Sequence, residues 1–120
     1  MKVMIVDDST AMRMIIKRTL RQAGFDKLDI VDAEDGRQAF AAIKAAPPDL
    51  VLSDWNMPNM TGLELLENLT KEGIKVTFGF VTTEATADMR DRATRAGARF
   101  LISKPFTPES FQETLKSYIK

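Results

Sequence analysis

The sequence predicts a doubly wound α/β domain, in which five parallel strands form the middle of three layers and five helices cover the two faces. Three observations carry this. Short β-branched runs alternate with longer stretches of helical period along the whole chain, the pattern of repeated βα units. The short runs are almost continuously apolar, as strands covered on both faces must be. The runs also stop at polar, chemically distinctive residues, as expected at the carboxyl edge of an open parallel sheet.

The first strand is read as Lys2–Val6 and ends in Asp7-Asp8. A helix follows from about Thr10 to Ala23, with Ser9 or Thr10 as its cap and Gly24 as its stop; Met12, Ile15, Ile16 and Thr19 recur at helical spacing. The second strand, Leu28–Val31, is expected at a sheet edge and offers little chemistry beyond Asp32. The second helix, about Glu34 to Ala45, points Ala39, Phe40 and Ile43 inward and ends before Pro47-Pro48. Leu50–Ser53 forms the third strand, ending at Asp54, and the third helix starts at Thr61-Gly62 with Leu63, Leu66 and Leu69 inward. The fourth strand, Val76–Val81, leads into Thr82-Thr83; Gly79 interrupts it and should weaken it. The fourth helix runs from about Ala85 to Ala96 and stops at Gly97. The fifth strand, Phe100–Ser103, ends at Lys104-Pro105, and the last helix, Pro108 to Ile119, has proline in its first turn and Phe111, Leu115 and Ile119 on one face.

A chain of 120 residues suits a single domain, here residues 1–120, able to bury roughly two-thirds of its unfolded surface. No repeat, low-complexity tract or linker is visible, so a complete module is expected. Lysine plus arginine equals aspartate plus glutamate at 17 each, which argues against direct binding to nucleic acid or an anionic membrane. With no cysteine and no histidine, disulfide scaffolds, thiolate nucleophiles, Ser-His triads and the usual zinc sites are excluded. The apolar run Val3–Val6 is too short for a signal peptide or a membrane span, which leads to the expectation of a soluble cytoplasmic protein.

Chemistry is then left to carboxylates, hydroxyls and lysine. Taken singly, Asp7-Asp8 is ordinary turn chemistry, Asp54 a loop start, Thr82 a strand-end hydroxyl and Lys104 a solvated charge. Together they converge on one edge of the sheet, where three carboxylates, a hydroxyl and an ammonium do nothing for the fold. Two carboxylates about 5 Å apart at an effective dielectric near 20 repel by roughly 3 kcal/mol, so such a cluster holds a proton or binds a cation. An all-oxygen site suits Mg²⁺. A carboxylate beside Mg²⁺, with lysine and hydroxyl at hand, is equipped for phosphoryl transfer through an aspartyl phosphate.

These residues resemble the response-regulator receiver family, most closely its stand-alone chemotaxis members, over essentially the whole chain. The likeness lies in an ordered set: Val6-Asp7-Asp8-Ser9; Leu52-Ser53-Asp54-Trp55-Asn56-Met57-Pro58-Asn59-Met60-Thr61-Gly62; Val81-Thr82-Thr83-Glu84-Ala85; and Lys104-Pro105-Phe106. The resemblance implies a flavodoxin-like topology with strand order 2-1-3-4-5, a family property rather than a reading of spacing. It implies that Asp54 accepts the phosphoryl group from a histidine kinase and that Asp8, Asp54 and the Asn56 backbone carbonyl ligate Mg²⁺. Asp7 would support the metal and its waters, while Lys104 and Thr82 would engage the phosphoryl oxygens. Asn56 and Glu84 hold the positions that tune dephosphorylation, with identities that imply a short-lived phosphate; Thr83 either narrows access or packs on the fourth helix. A cis Lys104-Pro105 bond is implied as well.

Two departures stand out. Leu101 replaces the aromatic that the family usually carries three residues before the lysine, and strand alternation puts Phe100 on the opposite face, so the usual threonine–aromatic output switch is in doubt. The fourth helix lacks the paired lysines of motor-binding members; Asp88-Arg92 and Asp91-Arg95 at i,i+4 spacing read as a self-paired, solvated face. A protein target is nevertheless expected at helix four, strand five and helix five, with the chain monomeric or dimerising on phosphorylation. Three other readings compete. A flavin site would lack its phosphate cradle, and a dehalogenase-type phosphatase would lack its Asp-X-Asp. The last is a receiver-like interaction module that is never phosphorylated.

Overall fold

The computed structural model describes residues 1–119. Its elements are β1 (Lys2–Val6), α1 (Thr10–Gln22), β2 (Asp29–Ala33), α2 (Gly36–Ala45), β3 (Leu50–Ser53), α3 (Gly62–Lys71), β4 (Thr77–Thr82), α4 (Ala87–Ala96), β5 (Phe100–Ser103) and α5 (Pro108–Leu115). All four strand pairings are parallel, in the order β2-β1-β3-β4-β5, which is the flavodoxin-like arrangement expected.

Strand alternation divides the core in two. Met4, Val6, Val51, Phe78 and Phe80 face α2, α3 and α4; Val3, Ile5, Leu50, Leu52, Val81 and Ile102 face α1 and α5. Both faces of the central strands are therefore apolar, which explains the unbroken runs in the sequence.

The helix starts follow capping chemistry. Ser9, Asp35, Thr61, Thr86 and Thr107 each accept a backbone N–H from the first turn, and Thr61-Glu64 forms a reciprocal capping box. The caps Asp35 and Thr86 move the starts of α2 and α4 two residues beyond the expected Glu34 and Ala85. At its other end α5 stops at Leu115, although Ile119 remains buried beyond it. β2 runs two residues past the expected Val31, because β1 supplies partners as far as Val6↔Ala33.

The inward face of α1 is a correction to the sequence reading. Ile15 is 40% exposed, whereas Arg13, Ile16, Thr19 and Leu20 are buried. The inward stripe therefore runs through Arg13, Ile16, Thr19 and Leu20, a fraction of a turn from Ile15. Thr19 is accommodated by donating its hydroxyl to the Ile15 carbonyl at 2.8 Å.

Gly79 has a structural cause. It pairs with Phe100 across β4 and β5, and a Cβ at position 79 would overlap the edge of the Phe100 ring at Cε1 and Cζ. That ring rests on the α1/α5 face and stacks on Tyr118 with centroids 5.2 Å apart. Gly79→Ala is expected to destabilise by about 2 kcal/mol through overpacking. Urea unfolding should show the cost, and most of it should vanish in a Phe100→Ala background; an equal cost in both backgrounds would refute this explanation.

Candidate functional site

The carboxyl ends of β1, β3, β4 and β5 bring the predicted residues to one edge. Asp7 and Asp8 follow β1, Asp54 follows β3, Thr82 ends β4 and Lys104 follows β5. Carboxylate oxygens of Asp7, Asp8 and Asp54 lie within 4.8 Å of one another. Asp7 is buried, Asp54 half-buried and Asp8 exposed.

Each acidic residue is held differently. The Asp7 N–H donates to the Ala33 carbonyl at 3.2 Å. Its Oδ1 accepts the Ser9 N–H at 2.9 Å and its Oδ2 accepts the Lys104 ammonium at 3.0 Å. Lys104 Nζ also stands 3.5 Å from Asp54 Oδ2. Asp54 Oδ1 accepts the Trp55 N–H at 2.7 Å, which turns the other oxygen toward the lysine. Burial raises the Asp54 pKa above the usual carboxylate range; Lys104 opposes the rise, Asp7 adds to it, and the Trp55 N–H opposes it.

The backbone around Asp54 is equally constrained. Its N–H donates to the Val6 carbonyl at 2.9 Å, and the Gly62 N–H donates to the Trp55 carbonyl at 2.8 Å. A side chain on Gly62 would strike the Asp54 carbonyl, so glycine is required for α3 to begin this close to the strand end. Across the loop, Asn59, at φ 69°, donates from Nδ2 to Asp35 at 3.1 Å.

Three carboxylates against one ammonium leave two uncompensated negative charges, a deficit that one divalent cation cancels. The donor set is all oxygen, and exposed Asp8 leaves room for a cation that retains several waters, as Mg²⁺ does. The Asn56 carbonyl accepts no backbone hydrogen bond among the described residues and is available as a further oxygen donor. The residues present therefore fit a hard divalent ion.

Thr82 is fully buried; its hydroxyl oxygen accepts the Glu84 N–H at 3.3 Å, so its own proton remains to be donated. The Lys104 N–H donates to the Thr82 carbonyl at 2.8 Å, tying the two together through the backbone. The Lys104-Pro105 bond is cis. Asn56, Thr83 and Glu84 are exposed beside the cluster.

Leu101 and Phe100 sit on opposite faces, as alternation requires. Leu101 packs against the core cluster on the α4 side, which includes Ala93, and Phe100 packs on the α1/α5 side. No aromatic of β5 therefore shares the Thr82 face. On α4, Arg95 pairs with Asp91 as expected, but Arg92 does not take up Asp88; its guanidinium lies over the Trp55 ring, 5.7 Å from the centroid. Tertiary contact with a neighbouring loop has displaced the local pair.

Sequence reasoning missed one polar residue near the cluster, Arg13. Its buried guanidinium donates to the Asp7 carbonyl, to Asp32 at 3.1 Å and to Thr10 at 3.1 Å. Its spacing of three from Ile16 and seven from Leu20 was the available signal.

The profile of the response regulator receiver domain matches residues 3–116. The chain is 39% identical over 117 residues to chemotaxis protein CheY-3 of Vibrio cholerae, covering 96% of this chain and 88% of that protein. It is 37% identical over 119 residues to chemotaxis protein CheY1 of Helicobacter pylori, covering 97% and 94%. The solved structure of Vibrio cholerae chemotaxis protein CheY4 superposes with a TM-score of 0.84 at 34% identity, covering 98% of each chain. Among the described residues no helix is long and apolar enough to cross a membrane.

Proposed function

The chain belongs to the response regulator receiver domain family, and from that premise we propose that it is a phosphoacceptor switch that takes a phosphoryl group from a histidine kinase onto Asp54. The observation that carries the proposal is the convergence of Asp7, Asp8, Asp54 and Lys104 on one sheet edge. The likeness to chemotaxis proteins supports a place in a chemotaxis-type pathway, acting in the cytoplasm.

In this reading Asp8, Asp54 and the Asn56 carbonyl would hold Mg²⁺, and Asp7 would support its waters. Bound there, the ion neutralises charge on the transferring phosphoryl group. The Asp54 carboxylate attacks phosphorus, an O–P bond forms, the P–N bond to the donor imidazole breaks, and its electron pair stays on nitrogen. Lys104 already stands beside Asp54 Oδ2, so it meets a phosphoryl oxygen without a large movement. Thr82 donates its hydroxyl to another. Asn56 and Glu84, exposed at the rim, set how readily water reaches the phosphate, which favours a short lifetime. Catalysis is confined to the chain's own phosphorylation and dephosphorylation.

Output is assigned to a protein target at the α4–β5–α5 face, with the protein monomeric or dimerising once phosphorylated. Since β5 carries Leu101 on the Thr82 face, this chain transmits the change without the usual threonine–aromatic exchange.

The test is incubation with acetyl phosphate, with and without Mg²⁺, followed by intact mass and by the fluorescence of Trp55, the only tryptophan. One phosphoryl group gained only with metal is the expected result. No gain while Mg²⁺ still binds would overturn the proposal in favour of an interaction module that is never phosphorylated.

A further inference from the structure

We propose that Arg13 is a positioning residue for the metal site, aiming the Asp8 carboxylate by pinning the peptide that joins Asp7 to Asp8. The inference rests on the Mg²⁺-binding reading above and adds to it a residue that touches neither metal nor phosphate.

The geometry is specific. Arg13 is only 6% exposed and engages three partners with three different nitrogens. Nη1 donates to the Asp7 carbonyl, Nη2 to Thr10 Oγ1 at 3.1 Å, and Nε to Asp32 Oδ2 at 3.1 Å. Asp32 is the strand-two carboxylate that sequence reasoning left without a role. It also receives Lys17 at 2.7 Å on its other oxygen, so the Asp32 carboxylate is itself held in place and anchors the Arg13 fork from the β2 side. A buried guanidinium costs more in desolvation than an aliphatic side chain of similar volume, so fold stability alone does not account for it.

The consequence follows from the planarity of the peptide. The Asp7 carbonyl and the Asp8 N–H belong to one rigid plane that ends at the Asp8 Cα, so fixing the oxygen fixes ψ of Asp7 and with it the position of the Asp8 Cα. Asp7 has other anchors through Ala33, Ser9 and Lys104. Asp8 is exposed, and its carboxylate is left free among the described residues. The orientation of that plane therefore sets the point from which the Asp8 carboxylate reaches toward Asp54. Preset in this way, Asp8 loses less conformational freedom when a cation binds.

The experiment is calorimetric titration of Mg²⁺ into the wild type, Arg13→Met, Arg13→Lys and Asp32→Asn, well below each unfolding midpoint. Arg13→Met is expected to weaken Mg²⁺ binding on the order of tenfold, the usual scale for residues that orient metal ligands. Arg13→Lys restores little of it, because an ammonium is a point charge that cannot hold three partners in a fork. Asp32→Asn retains the donors and loosens the fork, so a smaller weakening is expected; it also serves as the test if Arg13→Met does not fold. At saturating Mg²⁺ the phosphorylation rate of Arg13→Met with acetyl phosphate should return to within about twofold of wild type, since only the metal-loading step was impaired. A merely structural arginine would lower the unfolding midpoint and leave the Mg²⁺ dissociation constant of the folded variants unchanged, and that result would overturn the inference. Failure of the wild type to bind Mg²⁺ at all would instead overturn the receiver chemistry on which it rests.

Discussion

Asp54→Asn is expected to abolish phosphoryl incorporation from acetyl phosphate at every Mg²⁺ concentration while making the metal-free protein more stable. Loss of function follows because the amide is no nucleophile and the other buried carboxylate, Asp7, is committed elsewhere. Asp7 is buried with both oxygens engaged, by Ser9 and Lys104. The gain in stability follows from the electrostatics of the cluster. The folded protein holds Asp54 at a raised pKa, chiefly through burial, so ionised Asp54 opposes folding. The opposition is fully present above the folded-state pKa and fades as pH falls through it toward the ordinary carboxylate value. Urea unfolding without metal should therefore favour the variant at pH 7, with the advantage shrinking as the pH is lowered toward 4. Adding Mg²⁺ should reverse the order, since the wild type gains binding free energy that the variant has largely lost. A variant less stable than the wild type in metal-free buffer at pH 7 would contradict this account of the site.

Gly62→Ala should damage fold and site together. The new methyl would overlap the Asp54 carbonyl oxygen and approach Phe80 Cε1 at 2.9 Å, and neither can retreat freely. The Asp54 N–H is bonded to Val6, and the Gly62 N–H to Trp55. Phe80 is fully buried and packs on Trp55 with centroids 4.7 Å apart. Destabilisation of about 3 kcal/mol is expected, the upper part of the overpacking range. The molecules that remain folded should phosphorylate roughly 100-fold more slowly, because moving the Asp54 backbone by about 1 Å spoils the alignment of its carboxylate. Gly73→Ala is the control: it has positive φ and open space, so it carries only the backbone cost of about 1 kcal/mol and no loss of rate. Equal behaviour of the two variants would mean that the close approach at Gly62 does not position Asp54.

These two substitutions also show where reading the chain succeeds. Asp54, Asp7, Asp8, Thr82 and Lys104 were legible because each ends a strand whose apolar run is contiguous in sequence. Parallel topology then carries every such end to the same edge. Helix starts were legible to within two residues for a similar reason: the caps Ser9, Thr61 and Thr107 act on N–H groups three positions away.

What needed the tertiary structure are contacts between residues far apart in the chain. Gly62 meets Asp54, Gly79 meets Phe100, Lys104 joins Asp7 to Asp54, and Arg92 leaves its helical neighbour for Trp55. Arg13 is the clearest case. A charged side chain gives no local signal for burial, and only the simultaneous presence of Asp32 and the Asp7 carbonyl makes its burial tolerable. By itself the sequence determined the order of the layers and the chemical inventory at the sheet edge, because periodicity and strand ends are local properties. The fold decided which carboxylate meets the lysine, which glycines are obligatory and which arginine is buried behind the acidic cluster, because those depend on how separate elements pack in space.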